Sequence, residues 1–340
     1  MSASTTGLAY TALDDLKDLV CRVLTAHDTS PENAASVANA LVAAEVDGQK
    51  GHGLSRLGAY AAQAASGKVQ GHAVPQVETV GTAALRIDAG AGFAFPAMDV
   101  AIGRLAEMAP SCGIAVAGVF RSHHFGQAGY HVERLAGHGL VGLILGNSPK
   151  AIAPWGGKDG IFGTNPIAFA APRRAASSLV IDLSLSKVAR GKVMVAAKRG
   201  EPIPEGWALD KDGQPTTDAQ AALEGTMVPI GDAKGAALVL MVEILAAAVT
   251  GANFGFEASS FFTADGPAPG VGQMIIAIDP NRISGEGFAD RLEVLLNAIL
   301  IQPGTRLPGM RRLSARAEAA KKGIAVDTAF LAELEQLAQR

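Results

Sequence analysis

The chain has 340 residues, 49% apolar and 18% charged, enough for a large core divided into two or three lobes. Its 29 basic and 32 acidic residues are mixed throughout, for a net charge of −3, with no basic tail or stripe. That distribution argues against nucleic acid or an anionic membrane as a partner.

The N-terminal stretch has no basic-then-apolar leader pattern, because Asp14, Asp15, Lys17 and Asp18 interrupt it. Residues 10–26 carry Leu13, Leu16, Val20, Val23 and Leu24 at helical period, which predicts a first helix. A second starts at Ser30-Pro31, with serine as N-cap and proline at the first helical position, and ends at Asp47-Gly48. The stretch GQKGHGLSR, residues 48–56, follows, and a third helix runs through Leu57, Tyr60 and Ala64. From Val77 strands and helices alternate: strands at 83–88, 114–120, 141–145, 167–170, 179–182 and 272–278, helices at 97–109 and 127–136. A turn-rich excursion occupies 202–217. The longest apolar run, a helix over 234–249, contains Glu243 and is short for a membrane span. Helices at 291–300, 310–322 and 328–339 close the chain. Cys21 and Cys112 are too few for a disulfide framework or a thiolate metal site and fit a reducing compartment, so a cytoplasmic protein is expected.

His52 lies between two glycines, which let a ligand approach the backbone closely. Imidazole titrates near neutrality and suits proton transfer to a carbonyl or imine, although a locally bonded loop histidine is the commoner fate. Arg56 reads equally as a bidentate carboxylate grip or as a solvated helix charge. His123 and His124 are adjacent, so at most one faces a site, and the seven histidines offer no metal-binding spacing. Asn147 and Ser148, and Thr164 and Asn165, follow or precede strands as caps, turns or ligand contacts. Lys192 and Lys234 are ordinary surface lysines by default, but Lys234 opens an apolar helix whose N-terminus would favour phosphate. Glu243 needs a partner. The only G-x-G-x-x-G match, Gly137-His-Gly139-Leu-Val-Gly142, has a helix before it and a strand after it. A dinucleotide turn needs the reverse order, so this is read as a helix C-terminus.

Together the stretches GHGLSRLGAY, SHHFGQAGY, GNSPKAIAPWGG, FGTNPIAFAAP, IDLSLSKVARGK, IPEGWALDKDGQPTTD, KGAALVLMVEILAAAVTGANFGFE and RLPGMRR resemble the malate/L-lactate dehydrogenase family. That family binds its nicotinamide cofactor on a non-Rossmann fold. The resemblance covers nearly the whole chain in order. It implies a mixed α/β fold, with a largely antiparallel sheet in a cofactor- and substrate-binding part (76–284). The helical lobe would be built from residues 1–75 and 285–340. It implies a homodimer with NADP or NAD bound between subunits, and hydride transfer at C2 of a small 2-oxo or 2-imino carboxylate. His52 would handle the proton, and Arg56, Thr164 and Asn165 would contact substrate. His124, Phe125, Gly126, Gln127, Ala128, Asn147, Asp182, Leu183, Ser184 and Lys192 would line the cofactor. Ala233, Lys234, Arg306, Leu307, Pro308, Gly309 and Arg311 would hold its phosphates. In the imino-acid reductases of the family a serine precedes the histidine and an aspartate completes a relay, and Gly51 and Lys192 stand there instead. The ARGK pattern is closer to the malate/lactate-type members, and SHHF and TGANFGFE to the imino-acid reductases. A small-molecule binder that has lost catalysis is the alternative, motivated by Gly51 and Lys192.

Overall fold

The computed structural model describes residues 7–174 and 176–339, so residues 1–6 and 340 of the expected helical lobe lie outside the described residues. The first half runs β1 (Leu8–Thr11), α1 (Leu13–Ala26), α2 (Pro31–Val46), α3 (Leu57–Ala65), β2 (Gln76–Gly81), β3 (Ala84–Asp88), α4 (Ala94–Cys112), β4 (Ile114–Ser122), α5 (Ala128–Gly137), β5 (Val141–Gly146) and β6 (Ile167–Ala171). It continues with β7 (Leu179–Leu183), α6 (Arg190–Arg199), β8 (Ala208–Leu209), β9 (Pro215–Thr216), α7 (Ala219–Glu224), β10 (Thr226–Met227), α8 (Asp232–Glu243) and β11 (Val271–Ile278). The chain ends with α9 (Pro280–Ser284), α10 (Phe288–Leu300), α11 (Met310–Lys322), β12 (Ile324–Asp327) and α12 (Thr328–Leu337).

Seven strands form one sheet in the order β2-β3-β4-β11-β5-β6-β7. Only β3 and β4 run parallel, and α4 is the crossover between them. The other pairs are antiparallel, as the family resemblance implies. Alternate residues of β4 (Ala115, Ala117, Val119) are buried in a core shared with Met98, Ile102 and Leu105 of α4 and Val132 and Leu135 of α5. A second core joins the chain's two ends. Leu16, Val20, Val23 and Leu24 of α1 and Val37 and Leu41 of α2 pack with Ala319, Ile324, Val326 and Leu334. A third gathers Val193, Val239 and Val242 of α6 and α8 under the Ile152–Phe162 bridge.

Two expectations need correction. Residues 10 and 11 do not start the first helix. They belong to β1, which pairs antiparallel with β12, so α1 begins at Leu13. Leu8 and Tyr10 are exposed there, and a period-2 stretch this short is indistinguishable from a helix turn by pattern. The apolar helix over 234–249 is an α-helix only to Glu243, after which Ile244–Ala248 widen into a π-turn. The glycine triplet at 137–142 is the expected structural turn: α5 ends at Gly137, and Gly139 takes φ 79° before β5.

Candidate active site

Helix α2 is capped at its start by Ser30, whose Oγ accepts from the Asn33 amide, and it stops at Asp47. Gly48 takes φ 74°, and Lys50–His52 and Leu54–Arg56 each make a single 3-10 turn before α3. The glycines flanking His52 have different jobs from those expected. A Cβ on Gly53 would overlap the carboxylate of Glu45, which accepts from the Leu54 amide at 2.8 Å. Gly51 has open space around it. The close neighbour of Gly53 is therefore α2's own carboxylate, and only Gly51 leaves room for a ligand.

The turns deliver His52, Arg56 and Tyr60 four residues apart along one path. His52 Nδ1 lies 3.2 Å from Nε2 of His124, and His124 Nδ1 lies 2.5 Å from the hydroxyl of Tyr60. His124 was expected against the cofactor, but both its ring nitrogens are taken inside the chain. His123 turns the other way, as adjacency requires, and meets Gln63 Oε1 at 2.9 Å. Phe261 packs against both His123 and His124, and Phe262 lies under the Arg56 guanidinium at 4.4 Å. The loop carrying these phenylalanines is fixed from behind. Buried Lys68 donates to the carbonyls of Ser260, Thr263 and Asp265 at 2.8, 2.9 and 2.8 Å. Gln63 donates to Phe261 O at 2.8 Å.

The electrostatics follow from burial. Desolvation, then the Arg56 charge, pushes the His52 pKa down to about 4. His123 is pushed down to about 3 by burial, then Lys68 and Arg56, and His124 falls well below the usual value for the same first cause. These rings are neutral at physiological pH. Arg56 Nε donates to Gly51 O at 2.6 Å, whereas its buried Nη1 has no partner among the described residues. A buried guanidinium N–H without an acceptor is costly and points to an anion supplied from outside.

A separate cleft, of about 260 Å³, is lined by residues from distant parts of the chain: Asp47, Gln127, Asp182, Arg306, Gly309 and Arg311 among them. Leu183 and Pro308 also line it, while Leu307 is buried behind. Beneath it is a buried ion network. Asp47 accepts from Arg316 at 2.5 and 3.0 Å and from Gln127 at 2.8 Å, and Arg312 approaches within 3.5 Å. Glu133 takes the other face of Arg316 at 2.6 and 2.9 Å. Asp182 accepts from the Gly129 amide at the start of α5 at 2.7 Å. Arg306 and Arg311 remain exposed with no ion-pair partner among the described residues. Arg316 and Arg312 are thus committed to internal carboxylates, while Arg306 and Arg311 line the cleft beside Arg312 without one, a donor set that fits phosphate groups.

Other expected contacts have scaffold roles. Glu243 finds its partners: it accepts from Asn147 Nδ2 at 3.1 Å, Asn165 Nδ2 at 2.7 Å and the Gly255 amide at 2.7 Å. Asn147 also donates to Asn253 O and accepts from the Gly272 amide. Asn165 is fully buried, with its second amide hydrogen on Val239 O. Asn147 has no amide hydrogen left for a ligand, and Asn165 keeps only its buried Oδ1 without a partner among the described residues. Thr164 is half-buried, with its hydroxyl unpaired among the described residues. The Glu243 hub joins its turn to the loop that bears Phe261 and Phe262. Side chains of Phe125, Gln127 and Ala128 are buried, and Gly126 adopts φ 70°. Ser184 bonds to Ser186. Lys192, Ala233 and Lys234 are exposed in the first turns of α6 and α8 and line neither cluster within one chain. The sequence reading passed over Tyr60, Lys68, Phe261 and Phe262. Of these only Tyr60 had a signal, its four-residue step from Arg56.

Among the described residues no group of three or more His, Cys, Asp or Glu side chains is arranged to hold a metal ion. No helix there is long and apolar enough to cross a membrane. Comparison with known proteins matches residues 11–335 to the malate/L-lactate dehydrogenase family. The chain is 53% identical over 307 residues to (2R)-3-sulfolactate dehydrogenase (NADP(+)) of Chromohalobacter salexigens, covering 90% of this chain and 92% of that one. It is 42% identical over 324 residues to the Delta(1)-pyrroline-2-carboxylate/Delta(1)-piperideine-2-carboxylate reductase of Pseudomonas syringae pv. tomato, covering 95% and 94%. The crystal structure of delta1-piperideine-2-carboxylate reductase from that organism superposes with a TM-score of 0.92 at 41% identity, over 97% of this chain and 99% of that one. With near-complete coverage in sequence and in fold, the chain belongs to the malate/L-lactate dehydrogenase family and is an oxidoreductase.

Proposed function

We propose that this enzyme interconverts a small 2-oxo carboxylate and its 2-hydroxy acid with NADP or NAD, and that the 2-oxo substrate is preferred to a cyclic 2-imino one. The observation that carries the reading is the cation beside the histidine. Arg56 presents a buried, unpartnered N–H next to His52, and no carboxylate bonds to either His52 or His124. Such a field favours charge that develops as an alkoxide and disfavours a cationic iminium. The missing serine and aspartate at Gly51 and Lys192 agree with this.

A bound nicotinamide would supply the hydride chemistry at substrate C2. Arg56 grips the substrate carboxylate through Nη1, and His52 holds the proton at Nε2 for the C2 oxygen. Phe261 and Phe262 wall off water behind the reacting atoms. Thr164 bonds the substrate through its hydroxyl. Arg306 and Arg311 hold the cofactor phosphates, with Asp182, Leu183 and Gly309 lining the same cleft. NADP is favoured over NAD because both cleft arginines are free of internal carboxylates. The NADP(+)-dependent relative at 53% identity supports this.

A homodimer completes the site. Met194 and Val195 of α6, Leu240 and Met241 of α8, and Ile244 of the π-turn after it are exposed apolar side chains in the single chain. Lys192 and Lys234 lie on the same two helices, which would carry them toward a partner's cleft. The cytoplasm is the proposed compartment. The test is oxidation of NADPH and NADH against pyruvate, oxaloacetate, 3-sulfopyruvate, Δ1-pyrroline-2-carboxylate and Δ1-piperideine-2-carboxylate. The reading expects a 2-oxo acid to turn over fastest. A cyclic imine turned over at least tenfold faster overturns the substrate assignment. Silence on all five with cofactor still bound favours the non-catalytic alternative.

A further inference from the structure

The residues behind His52 form a closed chain of three ring or hydroxyl groups, and proton counting along it has only one solution. Tyr60 is fully buried, and its hydroxyl has one partner among the described residues, Nδ1 of His124. Burial pushes the Tyr60 pKa up, so the group is an O–H at any working pH. An O–H buried without an acceptor is disfavoured, so Tyr60 donates to His124 Nδ1. Neutral His124 then carries its single proton on Nε2, aimed at His52 Nδ1. His52 Nδ1 must accept, which leaves the His52 proton on Nε2, the nitrogen facing away from His124. The reversed chain would have Tyr60 accepting from His124 while its own hydrogen met no acceptor.

We propose that Tyr60 and His124 are positioning residues that lock His52 in the Nε2–H tautomer and hold it neutral. To charge His52, a proton must be added at Nδ1, where it meets the Nε2–H of His124. His124 must then release its Nε2 proton and take one at Nδ1, and Tyr60 loses its acceptor. The net uptake is one proton, on His52, with one hydroxyl orphaned. The charged and titratable groups around the chain are Arg56, Lys50 and Glu45 beside the histidine turn, His123 and Lys68 beyond Tyr60, and His131 behind His124. Glu45 is turned to the Leu54 amide and pairs with none of the three. The lock therefore has no counter-charge to relieve it, and the hydroxyl decides the tautomer. The arrangement lets a histidine without a relay carboxylate present a fixed N–H to a substrate oxygen. As that oxygen takes the Nε2 proton in reduction, His52 Nδ1 takes the Nε2 proton of His124 and His124 Nδ1 takes the Tyr60 proton. The Tyr60 oxygen is left anionic until a solvent proton entering at His52 Nε2 reverses the shifts. In this it rests on the reading of His52 as the acid–base group, but its test does not require turnover.

The test is long-range 1H–15N NMR of full-length protein labelled at histidine, with His52 and His124 assigned by His52→Asn and His124→Asn. At pH 7 both rings are expected to be protonated on Nε2 and bare on Nδ1. A proton on Nδ1 of either ring in the unsubstituted protein overturns the lock, whatever the enzyme's activity. In Tyr60→Phe, His124 should acquire Nδ1–H character and the His52 pKa should rise by roughly one unit, the scale of one lost buried hydrogen bond. The acid limb of kcat should move with it. A purely structural tyrosine would lower activity without moving that titration, and an unmoved titration overturns the proposal. Should Tyr60→Phe fail to fold, the tautomers of the unsubstituted protein decide the question alone.

Discussion

The histidine site and the arginine cleft both adjoin the end of α2, yet they handle charge in opposite ways. At the cleft, Asp47 and Glu133 take Arg316 between them and Arg312 leans on Asp47, so buried charge is cancelled by buried charge. At the histidine site no carboxylate among the described residues cancels Arg56. The three rings beside it are held neutral by burial, with His52 down to about 4 and His123 to about 3. A paired network is rigid and chemically quiet. An uncancelled cation beside a neutral imidazole is poised for an anion it does not yet have. The five residues from Asp47 to Gly51 connect the two, so the anchored region sets the position of the reactive one.

Removing the anchor should have the largest effect on stability. Asp47→Ala leaves Arg312 and Arg316 facing one another with only Glu133, and loss of one partner of a buried pair costs about 3–5 kcal/mol. Urea unfolding should show that loss, and a change below about 1 kcal/mol would mean the network does not hold α2 to α11. Next is Arg56→Lys, which keeps the charge but loses the planar fork. KM for the 2-oxo acid should rise by roughly tenfold or more with kcat less affected, read from steady-state kinetics. An unchanged KM breaks the contrast, because Arg56 would then be as internally committed as Arg316. The smallest effect is on pH. His52 and His123 have folded pKa values below the ordinary 6.5, and His124 and His131 shift the same way. Between the two values the unfolded chain binds more protons, so their contribution is intact above about pH 6.5 and is lost as pH falls toward 4. Calorimetry should show Tm falling by about 5 °C or more between pH 7 and pH 4.5. A flat profile would mean that the rings take up protons as readily in the folded chain as in the unfolded one.

Much of the fold was legible because its signals are local. Ser30-Pro31, Gly139, and the apolar run of residues 114–120 each act within one element, and each element is present. What escaped was non-local. Strand β1 exists because β12, more than 300 residues away, supplies its ladder, and no pattern in LAYT announces that. In the candidate site, His52 and Arg56 stood out by residue type and spacing. Tyr60 looked like one more apolar position of α3, since its hydroxyl acquires meaning only when His124 arrives from the end of β4. Asn147 and Asn165 depend on a distant residue in the same way. Polar residues at strand ends look like ligand contacts until Glu243, alone in an apolar helix, is found to need them. Lys68 reads as surface charge in sequence, yet three carbonyls of a loop almost 200 residues on enclose it.

The central claim is that His52 carries the proton. The direct measurement is the turnover of His52→Ala with the best 2-oxo acid of the panel, at saturating substrate and cofactor, alongside cofactor binding by fluorescence. The account predicts a fall in kcat of ~10²-fold or more with cofactor affinity unchanged. Turnover within a few-fold of the unsubstituted enzyme would contradict it.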